Sequence, residues 1–192
     1  ATSTNAEGLK ISLNSGSTLN EEDLIVVGDG GHIQLQMKDG ALIALSGRSE
    51  LKIMAYYFNE ADGQPDGVKL ELKKGQLRTI TGDIPQKAYL LSTPHALVNV
   101  KGTIYDALTD DGSKLILREG AISVESLCDG EGTGNIQLVD VPGTAVDVVT
   151  TCTDPTEPQP ALGIDTTVLN TIIPLPAPTT PPPPPVVVDP PV

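Results

Sequence analysis

At 192 residues and 39% hydrophobic content, the chain is long enough for one domain plus an extension and too short for two comfortable ones. Its core has to be aliphatic, because it holds one Phe, four Tyr and no Trp, a shortage that also argues against sugar-stacking platforms. Net charge is −13, and its polarity excludes nucleic acid as a partner: 15 acids face 12 bases up to Arg118 (−3), and ten acids face none beyond it (−10).

The first residues, ATSTNA from Ala1, lack Met and an apolar leader, as after signal-peptide cleavage or trimming. No apolar run approaches the ~20 residues of a membrane span. An exported protein is expected, extracellular or at the cell surface, with the periplasm as the alternative. Apolar/polar alternation then runs through Leu9–Leu13, Ile33–Met37, Leu51–Ile53, Val68–Leu72 and Leu77–Ile80. It continues at Leu97–Val100, Leu115–Leu117, Ile122–Val124, Ile136–Val141 and Val146–Val149. Asp-Gly, Lys-Gly, Glu-Gly and Pro-Gly pairs punctuate the runs, and no apolar stripe of helical period appears. The pattern predicts an all-β fold of short strands, a stack of hairpins forming a β-sandwich or an irregular β-solenoid.

Two stretches repeat: DGVKLELKKGQLRTI from Asp66 and DGSKLILREGAISV from Asp111. Looser copies begin at Asp39 and Asn135. Each reads as strand, tight turn, strand, with Gly75 and Gly120 as the turning residues. A lone hairpin cannot bury a face in water, so the copies are expected to stack.

Candidate chemistry is thin. Ser49 and Lys52 match an SxxK string, but i and i+3 on a strand point to opposite faces. His32 and His95 are the only imidazoles, and neither has ligands at metal spacing. Asp129–Asn135 (DGEGTGN) is an acidic glycine-rich loop without the spacing of a calcium site. No metal, cofactor or catalytic residue is predicted, and the chain reads as non-enzymatic. Lys69, Lys73, Lys74 and Arg78 form the densest basic cluster, read either as a solvated face that blocks edge aggregation or as an acceptor for acidic segments.

Cys128 and Cys152 are expected to form a disulfide if the protein is exported, closing a loop of about 25 residues; buried free thiols are the alternative. After Cys152 the composition changes. Of 17 prolines, 13 lie between Pro155 and Pro191, which rules out a central strand or helix there. The boundaries drawn are 1–152 for the domain and 153–192 for an extended tail. Two apolar islands interrupt that tail: one with Val168, Leu169, Ile172 and Ile173, the other Val186, Val187 and Val188.

Several stretches together resemble the FecR-like domain family. They are Glu21–Ile53 (EEDLIVVGDGGHIQLQMKDGALIALSGRSELKI), Val68–Gly82, Leu90–Ala107 (LLSTPHALVNVKGTIYDA), Lys114–Val124 and Gln137–Val148. The most specific element is Thr93-Pro94-His95-Ala96 leading to Val100-Lys101-Gly102-Thr103. The resemblance spans about Asn20 to Val149 and implies an all-β extracytoplasmic module. In the family's name-giving members, that module relays signals from an outer-membrane iron-transport receptor.

Two roles are expected from these features. The first is a structural subunit of an extracellular filament or surface assembly. Its tail islands would dock on Lys69, Lys73, Lys74 and Arg78 of the next copy, making a head-to-tail homopolymer. The second is a monomeric periplasmic or surface interaction module, including a signal relay.

Overall fold

The computed structural model describes residues 1–58, 67–82 and 89–172. Thirteen strands and one short helix follow in chain order: β1 (Thr2–Thr4), β2 (Lys10–Ser12), β3 (Leu24–Val26), β4 (Ile33–Gln36), β5 (Leu42–Leu45), β6 (Glu50–Tyr57), β7 (Gly67–Ile80), β8 (Tyr89–Ser92), β9 (Ala96–Thr109), β10 (Ser113–Cys128), β11 (Glu131–Val139), β12 (Thr144–Val148), β13 (Gln159–Pro160) and α1 (Thr167–Ile172). The fold is all-β, as the alternation predicts. Among the described residues no helix is long and apolar enough to cross a membrane.

The strands form one continuous sheet that folds over on itself into two layers. The first layer runs β2-β1-β3-β6-β7-β8-β9-β10-β11, using the first halves of β7 and β9 and the second half of β10. The second runs β4-β5-β7-β9-β10-β12-β13, using the other halves of the same three strands. All ladders are antiparallel except β7–β8. Between the layers lies one aliphatic core, with Leu51, Leu70, Leu91 and Val124 from the first layer against Ile43, Leu77, Leu115 and Val146 from the second.

Gly75, Gly102 and Gly120 carry the three long strands from one layer to the other. Each sits at positive φ (89°, 60° and 81°), a region that glycine enters without Cβ strain. The β9–β10 register shifts around Glu119, the mark of a β-bulge, where an extra residue bends the strand. The extra residue also changes the alternation phase. In β7 the positions facing the space between the layers are Val68, Leu70 and Leu72 before the bend, then Leu77 and Thr79 after it. β9 changes from Val98 and Val100 to Tyr105 and Ala107, and β10 from Leu115 and Leu117 to Ile122 and Val124. A slip of one residue reverses the faces of a strand, so these slips keep each strand's apolar side inward across the corner. The repeated units are therefore long bent strands. Gly75 and Gly120 bend the chain and do not reverse it.

Cys128, at the end of β10, is bonded to Cys152, 24 positions on. The Cys152 N–H also donates to the Leu127 carbonyl at 2.7 Å. Replacing both cysteines by alanine should lower unfolding stability by about 3 kcal/mol, mainly through the freed denatured chain. Urea denaturation monitored by circular dichroism measures this, with the native far-ultraviolet spectrum unchanged.

Candidate functional site

The outer face of the second layer is built to be covered. Across β5, β7, β9, β10 and β12 the register aligns Ala44, Arg78, Asp106, Ile116 and Ala145 in one row, none more than 5% exposed. What shields the row is the chain's own C-terminal stretch. β13 pairs with β12, and Leu169 of α1 is buried on Ala44, with Ile172 packed beside Leu42 and Ile80.

Beneath this cover lies an ion cluster. Arg78 grips Asp106 through both oxygens, Nε to Oδ1 at 2.6 Å and Nη2 to Oδ2 at 2.9 Å. Arg118 donates to the same carboxylate from Nε at 2.9 Å. The cover adds two neutral acceptors: Asn170 Oδ1, 2.6 Å from Arg78 Nη1, and Thr166 Oγ1, 2.9 Å from Arg118 Nη2. Buried charges persist only when paired and hydrogen-bonded, and this geometry supplies both. Sequence reading missed Asp106, Arg118, Thr166 and Asn170. Asn170 lies 92 positions from its partner Arg78, and no local pattern announces such a pairing.

The expected basic acceptor is accordingly split. Lys69, Lys73 and Lys74 are exposed on the first half of β7, with Lys73 3.5 Å from Glu71. Arg78 lies past the Gly75 bend with its side chain wholly buried. Of the tail islands, Leu169 and Ile172 pack on their own domain and Val168 is exposed. Ile173, Val186, Val187 and Val188 lie outside the described residues.

The Thr93–Ala96 element is a local knot. Thr93 Oγ1 accepts from the Ala96 N–H at 2.9 Å and shares a 2.7 Å hydrogen bond with Ser113 Oγ. His95 Nδ1 is 3.2 Å from the same Ser113 oxygen, and its carbonyl accepts from Leu127 N–H at 2.8 Å. Ser113 is 2% exposed, so this pair fixes the bend that starts β9 against the two ends of β10. His32 is exposed. Ser49 is buried with its hydroxyl on Gln76, whereas Lys52 pairs with Glu22 at 2.6 Å. Asp129 and Gly130 make the β10–β11 turn, both at positive φ. Among the described residues no group of three or more His, Cys, Asp or Glu is placed to hold a metal.

A groove of about 1050 Å³ opens beside β4, lined by Leu13, Leu19, Ile33, Met37, Ile53 and Tyr56 among others. At its end Tyr56 OH donates to Asp39 Oδ1 at 2.9 Å and accepts from the Asp39 N–H at 2.8 Å. Desolvation foremost, then the bond and charge of Asp39, push the Tyr56 phenol up to about 12. Tyr89 and Tyr105, both buried, are raised as well, again chiefly by burial. Each fold-raised pKa favours the neutral phenol. The stabilisation is thus complete below the ordinary value of 10.0 and is lost above it, for Tyr56 by about 12. Alkaline titration should show these three tyrosinates appearing together with loss of the β-sheet circular dichroism. Ionisation of all three with the sheet intact would contradict that coupling.

Comparison with known proteins places the architecture. The profile of a family described as FecR protein matches residues 23–123. Two crystal structures of a candidate anti-sigma factor from Parabacteroides distasonis ATCC 8503, at 2.50 and 1.65 Å resolution, share the fold. Their TM-scores are 0.54 and 0.53, at 18% and 17% identity, over 71% of this chain. The chain spans 59% of their length. No curated protein matches.

These relationships overturn the expected structural role. The chain matches the FecR protein family and shares its fold with a candidate anti-sigma factor, not with a filament subunit, and the extracellular filament, the self-assembly and the head-to-tail homopolymer are corrected accordingly. The physical reason the sequence misled is now visible. Arg78, counted there as an open acceptor, is engaged inside its own domain, and so are Leu169 and Ile172 of the first apolar island.

Proposed function

Because the chain belongs to the FecR protein family, we propose that it is an extracytoplasmic interaction module that relays a signal by contact with other envelope proteins, without catalysis of its own. The family match carries this reading. It runs from Asp23, just before β3, into the second half of β10, and so takes in all three bending glycines. The matched stretch thus contains the bends by which the sheet folds over. The likeness to a candidate anti-sigma factor supports a place in transcriptional signalling. This chain covers only part of that protein's length, and we assign it the sensing side. The disulfide suits an oxidising compartment outside the cytoplasm.

The test compares transcripts of cells lacking the chain with those of cells in which it is restored, together with light scattering of the purified protein. A restricted gene set that changes and is restored, with a monomer near 20.0 kDa, supports the relay. An unchanged transcript profile, or concentration-dependent polymers, overturns it.

A further inference from the structure

We infer that the outer edge of β4 and the groove beside it take an extended segment of a partner protein. The segment runs antiparallel to β4, turns alternate apolar side chains toward the groove and sets an acid opposite Lys38. This rests on the relay reading and names the surface through which it acts.

The two layers end unequally here. Among the described residues, the first layer continues beyond β7 through β6, β3, β1 and β2, the second only through β5 and β4. The inner face of the first layer therefore outruns its cover. One register row on that face reads Leu72, Leu51, Ile25, Ser3, Ile11. Its first four members are at most 2% exposed, whereas Ile11 is 45% exposed. Leu13, two residues on and so on the same face, lines the groove of about 1050 Å³ together with Leu19 and with Ile33, Leu35 and Met37 of the β4 segment.

The backbone states what this edge accepts. The Met37 N–H donates to the Ala41 carbonyl at 2.9 Å. By the alternation of an antiparallel ladder, Leu35 and Ile33 then also turn their N–H and C=O toward β5. Those of Gln34 and Gln36 point the other way, and among the described residues β4 pairs with β5 alone. Unpaired edge groups recruit an added strand, whose main chain supplies affinity and whose alternate side chains supply specificity. Residues of that strand opposite Ile33, Leu35 and Met37 share their side of the sheet, so apolar side chains there meet the groove. Charge fixes the end of the segment. Lys38 is exposed and makes no ion pair among the described residues, while Glu21, the acid that lines the groove, accepts the Tyr56 N–H at 2.6 Å.

The experiment titrates the full chain with a capped synthetic peptide, Asp-Val-Thr-Val-Thr-Val, and follows backbone amides by NMR and hydrogen exchange. Laid antiparallel from Lys38 to Ile33, its valines face the groove and its threonine N–H groups face β4. The peptide should shift the Gln34, Gln36 and Leu19 amides at millimolar concentration and slow exchange of the first two. N-methylation of both threonines should raise the concentration needed at least about tenfold. N-methylation of the middle valine, whose N–H points away from β4, should not. Gln34→Pro removes one outward donor and spares the β5 ladder, so it should raise that concentration about fivefold with the circular dichroism unchanged. Lys38→Glu should raise it about threefold. No shift at Gln34 and Gln36, or an equal response to the threonine-methylated peptide, overturns the added strand. An unaltered response in Lys38→Glu overturns the acid. Gln34 and Gln36 amides already protected in the free chain overturn a partner as the occupant. Loss of that protection in Val187→Asp assigns the edge to the chain's own C-terminal stretch, and loss on dilution, with a dimer in light scattering, assigns it to a second copy. These outcomes leave the transcript experiment untouched, so they are distinguishable from failure of the relay reading.

Discussion

Replacing Gly120 by valine is expected to cost at least about 3 kcal/mol of unfolding stability. Two effects add. An L-residue at a φ of 81° pays about 1–2 kcal/mol in steric strain. In addition, a Cβ at Gly120 overlaps the carbonyl oxygen of Gly102 on the adjacent strand. That neighbour is backbone at another bend, so it cannot swing aside as a side chain could. A control separates the two contributions. Gly130, at a φ of 85°, has nothing within 4 Å of the position of an added Cβ. Gly130→Ala should therefore show the strain alone, about 1 kcal/mol. Urea midpoints of the two variants decide the matter, and equal losses would remove the close approach from the account.

Asp106→Ala should be as damaging by a different route. It leaves Arg78, whose side chain is 0% exposed, without its bidentate carboxylate, and removing one partner of a buried pair costs about 3–5 kcal/mol. Arg78→Met should cost less, about 2 kcal/mol, because Asp106 keeps Arg118 at 2.8 Å and the methionine stem fills most of the space. The order of the two losses is the prediction. Thermal unfolding of both variants measures it, and a larger loss for Arg78→Met would place the energetic centre of the cluster on the wrong residue.

The all-β class was legible because alternation is local: Val68-x-Leu70-x-Leu72 states its buried face without help from the rest of the chain. The folding-over was written there too, in the phase change from Leu72 to Leu77 across Gly75. It went unread because a glycine at positive φ serves a hairpin turn and a bulge equally well. Grouping Arg78 with Lys73 and Lys74 followed closeness in sequence, although the bend puts them in different layers. What buries Arg78 comes from Asp106 and Asn170, 28 and 92 positions away. No window of sequence contains that information. The proline count after Cys152 was read as ruling out a helix there, and it concealed six residues, Thr167–Ile172, that form one and have enough apolar surface to settle on β5.

Three strands are common property of both layers, and this has a mechanical consequence. A pull on the C-terminal cover is borne by Arg78 and Asp106, on polypeptide that runs unbroken through Gly75 and Gly102 to the first layer. Force on one layer is therefore passed to the other along covalent backbone rather than through side chains alone. A molecule that must report at one end what has gripped it at the other gains from having no seam between them.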